Sequence, residues 1–172
     1  MMRQLAPDEK TAMVMAYTSD MLVRGEVVVK ENFRVSIWLR TQGVPNYLHL
    51  LSPQVVSFGG TVPKTLTFSE LFLPTERVIA FHLAPPAQDP LDYDAGELNR
   101  TMQPLVVMIG TFLLKGKLRV STQTDLATYL DVSHTAWMSM YEAVISNPYL
   151  PQFGVQVSML LVNPKAVTFG IP

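Results

Sequence analysis

Three histidines, His49, His82 and His134, are the side chains in this 172-residue chain best suited to acid–base or metal chemistry. No two of them stand at a His-x-x-x-His spacing, and none is flanked by the glutamate of a His-Glu-x-x-His motif. Each is therefore expected to be structural or solvent-facing. The chain has no cysteine, which removes thiolate nucleophiles, disulfides and Cys-ligated metal sites together. There is no Gly-x-Ser-x-Gly elbow, no phosphate-cradling glycine loop and no dinucleotide fingerprint, and Gly59-Gly60 reads as a hairpin turn. The carboxylates gather in one segment (Asp89, Asp92, Asp94 and Glu97) that reads as a solvated face rather than a general-acid pair. No catalytic residue, cofactor or metal is expected.

Basic residues are the better candidates for a functional surface. Lys30, Arg34, Lys115, Lys117 and Arg119 fall near turns that match when the two halves of the chain are superposed. Two such turns would offer a bivalent site for an acidic peptide or a phosphate backbone. The competing expectation, which the slightly negative net charge of −1 favours, is that the arginines hold their turns by hydrogen-bonding carbonyls.

Those turns belong to an internal repeat. Residues 25–36, GEVVVKENFRVS, align with residues 110–121, GTFLLKGKLRVS, at an offset of 85. Residues 47–51 (YLHLL) align with 137–141 (WMSMY), and 71–83 (LFLPTERVIAFHL) with 159–171 (MLLVNPKAVTFGI). Three blocks in one order point to a duplication. The expected organisation is an N-terminal arm (1–20), a first β repeat (21–83), a Pro-rich acidic linker (84–104) with one helical turn near 92–100, and a second β repeat (105–172). The arm, from about Thr11 to Thr18, is expected to be a helix or strand that docks on a neighbour.

Strands are expected over 21–30, 47–58, 65–73 and 77–83, with a bulge in the third, and over 105–114, 136–145, 153–162 and 165–171. Leu126, Tyr129 and Leu130 fall on one helical face in the second repeat, while Gly43 and Pro45 stop the equivalent helix of the first after a turn or two. The fold class is mainly β with short helices, as two tandem small β-barrel-like or curled-sheet domains; closure would hide the edges of apolar strands.

The block Arg34-Val35-Ser36-Ile37-Trp38-Leu39, and Arg119-Val120-Ser121 followed by Asp125-Leu126, resemble an uncharacterised family of small bacterial β domains that carries an Arg-apolar-Ser-Asp-apolar-Leu block before a Phe-Leu-x-Leu block. The Asp is missing from the first copy and displaced in the second. The order of elements is also similar to Sm-like small barrels, which assemble into rings. Neither resemblance implies a catalytic residue.

Hydrophobic residues make up 48% of the chain and charged residues 16%, enough for a core and too little charge for disorder. No apolar run approaches the roughly 20 residues that span a bilayer, and Asp8, Glu9 and Lys10 interrupt the place where a signal peptide would be apolar. A cytoplasmic location is expected. Ten methionines suit either core filling or an adaptable contact surface. The function expected is a non-catalytic protein-interaction or assembly module, with self-association or another protein as partner; the alternative is an Sm-like nucleic-acid-binding protein using the paired basic turns.

Overall fold

The computed structural model describes residues 3–172. Eleven strands form one antiparallel sheet: β1 (Glu9–Tyr17), β2 (Met21–Lys30), β3 (Tyr47–Ser57), β4 (Lys64–Thr67), β5 (Glu70–Pro74), β6 (Ala80–Leu83), β7 (Arg100–Ile109), β8 (Phe112–Ser121), β9 (Met138–Ser146), β10 (Gly154–Val162) and β11 (Thr168–Gly170). One α-helix, α1 (Leu126–Val132), and three 3-10 turns, η1 (Val35–Arg40), η2 (Thr75–Arg77) and η3 (Pro164–Ala166), interrupt them. Among the described residues no helix is long and apolar enough to cross a membrane.

The strand order is β11-β7-β8-β9-β10-β6-β1-β2-β3-β4, with β5 also beside β3. The mainly β expectation holds, but the sheet is open and continuous rather than closed into two barrels. It consists of two stretches with the same internal order, β6-β1-β2-β3-β4/β5 and β11-β7-β8-β9-β10, joined where β10 pairs β6.

Burial explains which segments the periodicity hides. Val14, Ala16, Val23, Phe81 and Leu161 belong to one core cluster, with Trp38, Leu39 and Leu48. Met15, Tyr17, Ala80, Leu160 and Val162 belong to a second, with Leu105, Leu114 and Met140. Neighbouring residues of β1, β6 and β10 therefore feed opposite faces, and the centre of the sheet is covered on both sides. A strand buried on both faces shows no alternation, which is why Thr11 to Thr18 reads as a helix or strand of a detachable arm. It is instead β1, clamped between β2 and β6. The segment thus takes the strand form of the two expected, and its place is inside the sheet, between β2 and β6.

The first repeat block is corrected too. Gly25 lies within β2, opposite Val14, at a register shift against β3; its positional counterpart is Gly116, opposite Leu105, at the same kind of shift between β8 and β9. Each bulge faces a strand residue with left-handed backbone, Ser52 (φ 46°) and Glu142 (φ 48°). The offset is thus 91 rather than 85. The slip is by an even number of residues, which preserves the in–out pattern of a strand, so hydrophobic periodicity cannot detect it. Gly110 belongs to the β7–β8 turn instead, at φ 53°, where an added Cβ would lie 2.5 Å from the Ser19 carbonyl oxygen. The expected strand 105–114 is accordingly two strands around that turn, and Lys115-Gly116-Lys117 is a mid-strand bulge.

The bulge expected in 65–73 is not found there: the stretch is two strands, β4 and β5, with one register against β3 on both sides of the break, and the irregularity lies in β3 at Ser52. β7 begins at Arg100, inside the stretch read as linker, and no helical turn forms over 92–100.

Candidate interaction surface

The five basic residues do not converge on one patch. Lys30, at the end of β2, pairs with Asp8 at 2.7 Å. Lys115 and Lys117 flank the bulge glycine of β8; Lys115 is exposed, and Lys117 pairs with Glu142. Arg119 pairs with Glu97 at 2.7 Å, donates to the Asp94 carbonyl at 3.0 Å and stacks over the Tyr93 ring at 4.4 Å. Arg34, just before η1, donates to the Pro90 carbonyl. The two arginines therefore act alike, each fastening the linker through a carbonyl, although they are not positional counterparts. By the sheet registers the counterpart of Lys115 is Arg24 and that of Lys117 is Glu26.

The linker carries a dense polar cluster. The Asp92 carboxylate is largely covered; it accepts from Arg40 of η1 at 2.5 Å, from Ser139 at 2.6 Å and from Tyr141 at 2.5 Å, the last two on β9. Burial opposes its ionisation, but the three donors outweigh this and hold its pKa below the usual carboxylate range. Burial, reinforced by the bond to Asp92, raises the Tyr141 hydroxyl. A cleft of about 420 Å³ opens beside this cluster, lined by Arg100, Arg119, Tyr129 and Trp137 among others. Its carboxylates, Asp92 and Glu97, are already engaged by protein donors. The arrangement pins the linker to η1 in one half of the sheet and to β9 in the other.

The histidines occupy three different settings. His82 on β6 is buried; its Nδ1 donates to the Leu83 carbonyl at 2.7 Å, which makes Nε2 the acceptor for the Tyr17 hydroxyl at 2.9 Å. Burial lowers the His82 pKa to about 4 and raises that of Tyr17. This pair satisfies two buried polar groups at the centre of the sheet. His49 on β3 bonds Glu70 at 2.7 Å and stacks on Phe72 with ring centroids 4.5 Å apart. His134 follows α1. Among the described residues no three His, Asp or Glu side chains gather as metal ligands would.

Apolar side chains stand exposed at several places, among them one end of the sheet. Leu66, Phe68 and Phe72, on or beside β4 and β5, are exposed, Phe72 to 58%. At the other end, β11 pairs only β7 and leaves its second edge open. Between α1 and β11 lies a cavity of about 380 Å³ with a mainly apolar lining that includes Tyr129, Leu130, Met138 and Phe169. The sequence signal for these edges was present in the third repeat block, which aligns Phe81 with Phe169, but it matches Phe72 to Leu160, one residue away from its positional counterpart Leu161.

Comparison with family models, with curated proteins and with solved structures finds no match for this chain.

Proposed function

We propose that this protein is a non-catalytic interaction and assembly module, built from a duplicated small β unit, that acts by binding protein through the edges of its sheet. One observation carries the reading. The buried charged chemistry is spent on internal contacts, whereas apolar side chains stand exposed along an unpaired edge. Exposed edge strands recruit further strands through their free N–H and C=O groups, and monomeric proteins ordinarily blunt them with charge. Here β4, β5 and the step between them offer Leu66, Phe72 and Phe68 instead, with only Lys64 and Glu70 as charges. Nucleic acid is ranked second because Lys30, Lys117 and Arg119 already have acidic partners.

Size-exclusion chromatography with light scattering, read at 260 and 280 nm, tests this. The expected result is a mass above that of one chain, with a protein spectrum, which the double variant Phe68→Lys/Phe72→Lys reduces to one chain. A single-chain mass at every concentration overturns the assembly reading. A nucleic-acid spectrum that survives moderate salt and is lost with Arg34→Glu/Arg119→Glu replaces it with the alternative.

A further inference from the structure

The joint inside the molecule is a template for a joint between molecules. At the internal joint β10 lies antiparallel to β6, with Leu161 opposite Phe81 and Val162 opposite Ala80. Leu161 and Phe81 are both 0% exposed, and η1 packs over the two strands, placing Val35, Trp38 and Leu39 in the same cluster. Beyond the pair, the Asn163 amide donates to the Ile79 carbonyl at 2.7 Å.

Every part of this joint has a counterpart at the free ends of the sheet. Leu48 faces Leu73 and His49 faces Phe72 across β3 and β5; Met138 faces Val162 and Ser139 faces Leu161 across β9 and β10. Phe72 therefore stands where Leu161 stands, but exposed. On the receiving side Ala16 faces Phe81 across β1 and β6, and Val107 faces Phe169 across β7 and β11. Phe169 is thus the counterpart of Phe81. The helical segment between the second and third strands of each stretch is η1 in one and α1 in the other. Where η1, β6 and β10 enclose Leu161, α1 and β11 enclose the cavity lined by Phe169, Tyr129 and Leu130. The space that β10 fills at the internal joint is empty at the external one.

We infer that the partner of each edge is a second copy of this chain, added head to tail: β5 of one copy pairs antiparallel with β11 of the next, Phe72 opposite Phe169, and the Phe72 ring enters the cavity beside α1. This rests on the edge-binding reading and specifies its partner and register. The contact uses two different surfaces, so it propagates into a ring or a chain rather than closing as a two-fold dimer. It is weaker than the internal joint for a definite reason. Pro74 occupies the position of Asn163 and has no N–H to donate to the next copy's Val167 carbonyl.

The absence of cysteine makes the register directly testable. Phe72→Cys and Phe169→Cys are prepared separately, mixed and oxidised. The expected product is a 72–169 cross-linked dimer that forms in the mixture and in neither variant alone. Because Phe169 is partly buried, Gly170→Cys, whose side chain meets nothing within 4 Å, is joined to Phe72→Cys with a short bis-maleimide as a second route. Without any cysteine, Pro74→Asn should tighten association about three- to tenfold, the worth of one hydrogen bond. Cross-linking of Phe72→Cys to itself, with none in the mixture, overturns the head-to-tail register while leaving edge assembly standing. A monomer by sedimentation velocity for both wild type and Pro74→Asn overturns the two together.

Discussion

The β10–β6 joint and the free β5 and β11 edges are built from positions that correspond one to one, yet one is the best-buried part of the molecule and the others face solvent. At the joint an aliphatic residue, Leu161, is enclosed by Phe81 and η1; at the edge an aromatic, Phe72, stands over His49 with one face uncovered. Burial is therefore not a property of the local sequence in either place. It depends on whether a neighbouring strand is supplied by the same chain.

The comparison is broken most severely by cutting the joint. Leu161→Ala should destabilise the protein by about 3 kcal/mol, the ordinary cost of a large-to-small change in a core that cannot collapse, read as a drop in the urea midpoint. An effect below about 1 kcal/mol, within the range of peripheral substitutions, would mean that the two halves of the sheet stand independently.

Acid attacks the same region through His82, which has no histidine counterpart in the second stretch, where Gly170 takes its place. Above pH 6.5 the ring is neutral in both folded and unfolded chains and costs nothing. Between 6.5 and about 4 the unfolded chain takes up a proton that the folded one refuses, so stability falls with pH, and the loss is complete near pH 4. Its size is on the order of 3 kcal/mol. Denaturation at a series of pH values should show this slope in the wild type and a clearly shallower one in His82→Gln. Equal slopes would remove His82 as the cause.

The two bulge glycines sharpen the comparison between stretches. An added Cβ at Gly116 would lie 2.8 Å from the Tyr141 carbonyl oxygen and 2.8 Å from Met140 Cε, whereas at Gly25 the nearest atoms are side-chain carbons of Pro53 and Leu50 at 3.1–3.2 Å. Gly116→Ala should therefore cost about 1–3 kcal/mol, as overpacking against backbone does, and Gly25→Ala less. Thermal midpoints measured side by side settle the order; the reverse ranking would mean that the β8–β9 bulge yields more easily than the β2–β3 one.

The smallest effect falls on the free edge. In dilute protein Phe72→Ala should change stability by no more than about 0.5 kcal/mol, as exposed substitutions do, although its counterpart at the joint, Leu161, is fully buried. A large loss in the single chain would show that Phe72 serves the fold rather than a contact between copies.

Residue types alone determined much of this protein. Mainly β content follows from Val-, Leu- and Ile-rich segments cut by Pro and Gly, and a short helix from Leu126, Tyr129 and Leu130, although its cap, Asp125 rather than the neighbouring Thr124 or Ser121, came from the structure. The match of Phe81 to Phe169 was legible because aromatic positions leave marks within a few residues. The absence of thiol chemistry was fixed by composition.

Tertiary structure decided the rest. β1 could not be recognised as an integral strand because both its faces are buried, and burial on both faces erases the period-two signal. Asp92 looked like one acid in a solvated linker until Arg40, Ser139 and Tyr141 were brought to it from segments some 50 residues away. In the first matched block the correspondence of the two stretches differed by an even step that side-chain alternation cannot sense, and only cross-strand pairing resolved it. Pattern in a strand reports which residues share a face. It carries no information about which strand lies alongside, and here that second question separates a buried joint from an open edge.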